Sequence, residues 1–236
     1  MFQKTSYQIK AMITLQPLLD NDLIEKVVLD TYSREIERYG DSLIEETENL
    51  FFADSLAVLR FVSLLDEEDG GKYRMLFALR GIDMLLEDFN FSLAEKRELL
   101  KNTQSGFFKE FGGSSGLEKQ LNDKYRKVQK EIFLHMNPDM DAENEIVEAV
   151  SIFKQRSTQL KPTADNILFK LENDKEEITK LLISYIHMFM NRLFIYNQRK
   201  YELVIYHFLE RYYSSQLAID KKKEMLVTQS SNLINK

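Results

Sequence analysis

The 236-residue chain has no cysteine, and only eight glycines and three prolines. Without thiols there is no disulfide framework, no thiolate zinc site and no cysteine nucleophile. So few turn formers leave little to punctuate the chain, and long helices should dominate. Three histidines, His135, His187 and His207, are too scattered to read as a metal cluster, so neither a metal nor a cofactor is expected. Positive charge is not in excess either. Lys and Arg number 32 against 38 Asp and Glu, a net charge of -6, which argues against a broad nucleic-acid footprint and leaves no direct nucleic-acid partner expected. No run reaches the ~18 apolar residues of a membrane span. The opening MFQKTSYQIK lacks the charged-then-apolar layout of a signal peptide, so a cytoplasmic location is the expectation.

What remains, 44% hydrophobic and 30% charged residues, describes a globular protein long enough to bury a real core. Tyr7 to Leu19 carries a helical stripe whose last turn Pro17 should spoil. IEKVVLDTY, with its valines and short length, reads as a strand over Val27 to Tyr32. Asp41 or Ser42 can cap a helix to Phe52, and Asp54 a second helix to Leu65. DEEDGG at 66 to 71 reads as an acidic loop. Met75 to Phe89 has the repeat of a core helix, and Ser92 with Glu95 forms an S-x-x-E capping box for the next.

FFKEFGGSSG, at 107 to 116, is either a hinge or active-site loop or a plain connection. An amphipathic helix follows with apolar or aromatic positions 117, 121, 125, 128 and 132. Its basic face of Lys119, Lys124, Arg126, Lys127 and Lys130 is either solvated or attractive to an acidic partner. After Asn137-Pro138 a helix resumes with Ile146, Val150 and Phe153 inward, and Pro162 should end it before a short helix from Ala164 to Leu171. Asn173 or Asp174 then caps KEEITKLLISYIHMFMNRLFIY. On that helix Leu181, Ser184, Tyr185, Met188, Arg192 and Ile195 share one stripe, with His187, Asn191 and Phe194 on the next. Arg199 to Ser214 is one more amphipathic helix. The fold expected is α+β, predominantly α-helical, with a short β element near the N-terminus. Residues 1–217 form its main domain, and 218–236 a polar, fraying tail.

Two places carry candidate chemistry. TYSREIERYG, residues 31–40, packs Arg34, Glu35, Glu37 and Arg38 between two tyrosines just after the strand, where Glu35 and Arg38 can grip a charged ligand or simply form a surface turn. His187 lies four residues before Asn191 on a helix, an arrangement that suits either a hydrogen-bonded core histidine or a titratable catalyst.

The wording of TYSREIERYG, followed by ADS at 53–55, SLAEK at 92–96, the FxxEFGG pattern at 107–113 and HMFMNRL at 187–193, resembles the C-terminal domain of lantibiotic dehydratases, also called the thiopeptide-type bacteriocin biosynthesis domain. The resemblance runs from about residue 20 to about 210. It implies elimination of glutamate from glutamylated Ser or Thr of a precursor peptide, giving dehydroalanine or dehydrobutyrine, with a separate glutamylation-domain protein supplying the glutamylated substrate from glutamyl-tRNA. It also implies that Glu35, Arg38 and His187 are catalytic. Tyr32, Arg34, Tyr39, Asn191 and Arg192 are the expected substrate-binding neighbours.

Family members carry an upstream strand of the type RYxDPxxHLRLR whose arginine also takes part. Residues 1–22 contain no arginine, so a shortened, stand-alone version of the domain is expected. Two other readings stay open: a non-catalytic peptide-binding or scaffold partner in the same pathway, and a pyridine-forming cycloaddition enzyme. Self-association into a homo-oligomer is also left open.

Overall fold

The computed structural model describes residues 5–65, 70–138 and 145–234. These residues are predominantly helical: α1 (Thr5–Asp20), α2 (Ile36–Tyr39), α3 (Ile44–Val62), α4 (Gly70–Asp88), α5 (Leu93–Glu110), α6 (Ser115–Met136), α7 (Glu145–Lys170), α8 (Lys175–Leu193) and α9 (Gln198–Ile234). The chain divides into two units, Met1–Ile44 and Glu45–Lys236. Of the acidic loop expected at 66–71, residues 66–69 lie outside the described residues and Gly70 and Gly71 open α4 instead; the start of the helix after Pro138 and the side chain of Ile146 also lie outside them.

In the first unit, α1 runs through Pro17 to Asp20. The expected β element is absent. Residues 26–35 have no regular structure, there is no strand among the described residues, and Val28 and Leu29 are 71% and 57% exposed. The valines favour extended backbone, but a single segment cannot satisfy a ladder and no partner strand is present among the described residues to complete one. The expectation of an α+β fold therefore gives way to a helical one. The charged part of TYSREIERYG is not a strand end either. It forms the single turn α2, which stops at Gly40 with a φ of 77° that glycine adopts readily.

In the second unit α4 is central. It packs against α6, α7, α8 and α9, while α5 and α9 form the most extensive helix pair. Residues from Leu76 to Leu86 of α4 are almost continuously buried. Local signals are met where they were read: the Ser92 side chain accepts from Glu95 N while Glu95 bonds back to Ser92 N, and Asp174 accepts from the amides of Glu176 and Glu177. Phe111 to Ser114 simply join α5 to α6, with Gly112 and Gly113 at φ 92° and 55°.

Three expectations are corrected by tertiary contacts. Asp54 does not start a helix, because α3 is continuous and Asp54 is buried on it, 3.2 Å from Arg156 Nη1. Pro162 does not end α7, since Leu160, Ala164, Ile167 and Leu168 lie buried on both sides of it and hold one axis. Past its buried part, α9 runs on through Ala218 to Ile234, with side chains exposed from Ala218 to Leu226. On α8 the buried face is Ile178, Leu182, Tyr185, Ile186, Phe189, Met190 and Leu193, so of the expected stripe only Tyr185 is fully inward, and Ile195 is exposed beyond the helix end.

Gly81 of α4 is required by close approach. A Cβ there would lie 2.5 Å from Phe153 Cζ and 2.8 Å from Phe189 Cζ. Alanine favours a helix interior by ~1 kcal/mol over glycine, yet Gly81→Ala is expected to destabilise the fold by about 1–3 kcal/mol through overpacking, read as a fall in the thermal midpoint.

Burial also sets an acid limit. It pushes the imidazoles of His135, which faces Glu131 and Lys72, and of His207, which faces Arg211, Glu210 and Glu118, below their ordinary value. A base with a lowered folded-state pKa binds protons more readily when unfolded, so its stabilising share is present above about pH 6.5 and lost as the pH falls below it. Glu95, held below the usual carboxylate range by its bonds to Ser92, adds to the loss at lower pH. Urea midpoints measured at neutral and mildly acidic pH should show this decline, and a double variant His135→Gln, His207→Gln should show a flatter one.

Candidate active site

His187 lies in the next-to-last turn of α8, and α9 begins five residues after α8 ends. Its position is set by the apolar face of α8, which leaves the imidazole at the edge of the core, 29% exposed, rather than inside it. The ring is held at both nitrogens. Nδ1 lies 2.8 Å from Glu202 Oε1 of α9, and Asn191 Nδ2 lies 3.1 Å from Nε2. With Asn191 donating to Nε2, the neutral ring carries its proton on Nδ1 and donates it to Glu202, leaving the Nε2 lone pair on the side of the exposed Asn191.

Glu202 is fully buried. Its Oε1 also accepts from the Tyr206 hydroxyl at 2.9 Å. Burial first, and then the Glu202 carboxylate, push the Tyr206 phenol well above its ordinary value, so it stays a donor. Glu202 Oε2 accepts no hydrogen bond among the described residues and faces Arg199 Nη1 at 3.6 Å. Arg199 in turn grips Glu110, at the end of α5, in a bidentate fork through Nε and Nη2, and its guanidinium lies 4.0 Å from the centroid of the Phe107 ring.

Glu202, Tyr206 and Arg199 were missed in the sequence. One signal was legible: residues 202, 206, 209 and 213 form the buried stripe of α9, and a glutamate on such a stripe calls for partners.

The other expected site residues divide. Asn191 joins His187. Arg192 turns to α3, where Nε donates to Ser55 Oγ at 3.0 Å and the guanidinium lies 4.5 Å from the Phe51 ring centroid. In the first unit, Arg38 Nη1 and Glu35 Oε2 are 3.7 Å apart, both about half exposed, and Arg38 sits 5.5 Å from the centroid of the Tyr39 ring. Tyr32 and Arg34 are exposed in the irregular segment before them, while Tyr39 is buried. Among the described residues no group of His, Asp and Glu side chains could hold a metal ion, and no helix is long and apolar enough to cross a membrane.

Residues 3–213 match the family described as lantibiotic biosynthesis dehydratase C-term. Among curated proteins, the subtilin biosynthesis protein SpaB of Bacillus subtilis is 25% identical over 186 residues, covering 76% of this chain. The epidermin biosynthesis protein EpiB of Staphylococcus epidermidis is 28% identical over 197 residues, covering 80% of it. The chain spans 17% of the length of each of these relatives. No solved structure matches it.

The Glu202 contact fixes a tautomer that can be observed directly. Long-range proton-nitrogen NMR of the neutral His187 ring should show a protonated Nδ1 and a bare Nε2 in the wild type, with the preference weakened in Glu202→Leu and kept in Arg192→Lys.

Proposed function

The chain belongs to the lantibiotic biosynthesis dehydratase C-terminal family, and on that premise we propose that it eliminates glutamate from glutamylated serine or threonine of a ribosomally made precursor peptide. A glutamyl-transferring activity would supply that substrate. The observation that carries the proposal is the clamp on His187: a partly exposed imidazole held by a fully buried carboxylate through Nδ1, with Nε2 toward the surface. This is the arrangement by which an acid orients a histidine base and stabilises the imidazolium that forms when it takes a proton.

In the proposed reaction the peptide displaces Asn191 from Nε2, which then accepts the α proton of the glutamylated residue. The C–H electron pair becomes the new Cα=Cβ bond, the Cβ–O bond breaks, and glutamate leaves as a carboxylate. The double bond is that of dehydroalanine from serine or dehydrobutyrine from threonine. Arg38 and Glu35 are assigned to the same reaction by the family motif they occupy: a guanidinium suits a leaving carboxylate, and Glu35, its ion-pair partner, orients it.

The test is a peptide bearing a synthetic glutamyl ester on serine, incubated with the protein and followed by mass spectrometry. Wild type is expected to release glutamate, with His187→Ala slower by ~10²–10⁴-fold, the range of general base catalysis, and Arg38→Ala by ~10²–10³-fold, the range of lost charge stabilisation. An unchanged ester with intact protein would overturn catalysis and leave peptide binding as the activity. Equal rates in both variants would remove these residues from the chemistry.

A further inference from the structure

Arg199 stands beside the His187 centre and has no part in the motifs read from the sequence. Its guanidinium is bounded on three sides. Nη1 faces the buried Glu202 at 3.6 Å, the Phe107 ring lies at 4.0 Å, and the outer edge, Nε and Nη2, holds the Glu110 carboxylate as a two-pronged fork. The inner contact and the ring fix the plane. The outer edge is about half exposed, as is Glu110.

Three features make Glu110 a replaceable occupant. An ion pair this exposed is screened by solvent and salt, so an outside carboxylate can compete for it. Glu110 is the last residue of α5, where a carboxylate meets the negative end of the helix dipole and is intrinsically disfavoured. Gly112 and Gly113, both at positive φ, bond back to the Lys109 and Phe108 carbonyls, so α5 keeps its end while the exposed Glu110 side chain alone turns away. Charge is also conserved in an exchange. The guanidinium neutralises one half of the pair of carboxylates around it, and a carboxylate from outside restores the balance that leaving Glu110 upsets.

We infer that Arg199 forms a carboxylate subsite of the His187 centre, that Glu110 is its internal placeholder, and that the incoming ligand is a carboxylate of the substrate's glutamyl group. This rests on the elimination reading only for the ligand's identity. His187 and Arg199 flank the same Glu202 carboxylate, which ties the fork and the imidazole to one buried group.

The experiment measures binding rather than turnover. Free L-glutamate is titrated into the full chain and followed through the Nε–H resonance of Arg199 and by calorimetry, with glutaramide, which lacks carboxylates, as the comparison. Glutamate is expected to bind and glutaramide not. Glu110→Gln should tighten glutamate binding about 5- to 10-fold by emptying the fork, about 1–1.4 kcal/mol, Arg199→Gln should abolish it, and Arg199→Lys, which keeps the charge but not the fork, should weaken it. Arg126→Gln, in an exposed pair on α6, should change nothing, and thermal midpoints report whether each variant is folded. Glutamate binding that survives Arg199→Gln in a folded protein overturns the subsite. So does an absence of binding to both wild type and Glu110→Gln. Binding that follows this pattern in a protein that leaves the glutamyl ester intact supports the subsite and sinks only the elimination reading.

Discussion

The second unit depends on a guanidinium and a carboxylate that are both wholly out of water. Arg156 of α7 meets Asp54 of α3 at 3.2 Å and donates to the Gly81 carbonyl of α4 at 2.7 Å, with the rings of Phe153 and Phe189 on its flanks. A pair taken so far from solvent carries a large desolvation cost, and removing one partner strands the other charge at about 3–5 kcal/mol. Burial pushes the Asp54 carboxyl up, against the pull of Arg156 and Arg192. The geometry that offsets this cost is exacting, because the guanidinium reaches a main-chain oxygen as well as a carboxylate. Three helices must therefore keep their spacing, with Gly81 allowing the aromatic rings of α7 and α8 to close over α4. The placement of α8, and so of His187, follows from that packing.

What could be read in the sequence was what is local. The Ser92–Glu95 box and the Asp174 cap are decided by residues within one helical turn, and the central helix by a repeat of its own apolar positions. Reading failed where a distant contact outweighed a local preference. Asp54 has the chemistry of a cap but is held by Arg156, 102 positions away. Pro162 has the chemistry of a stop but lies in a helix whose buried residues continue on either side. The valines at 27 and 28 have the chemistry of a strand but lack a neighbour to pair with. The site shows the same division. Motif wording singled out Glu35, Arg38 and His187 as candidates, and helical spacing linked His187 to Asn191. Arg192, only one position from Asn191, points to α3, because successive helical residues diverge by about 100°.

Glu202 shows why the imidazole needs a charged neighbour instead of a neutral acceptor. The carboxylate is fully buried, yet it receives the His187 Nδ1 proton and the Tyr206 hydroxyl on one oxygen and faces Arg199 with the other. Tyr206 is a poor exchanger, its proton held by burial and by the same carboxylate. Arg199 is held protonated by its fork with Glu110. Of the three groups around Glu202, the imidazole alone combines a hydrogen bond to it with partial exposure. A neutral amide at 202 would satisfy the same donors in part, but it would leave the guanidinium without its inner counter-charge and the imidazolium without stabilisation. A single buried carboxylate therefore couples the orientation of the base to the charge of the neighbouring cation. That coupling ties α8 to α9, short-linked and packed side by side, while the rest of the helices hold them in place.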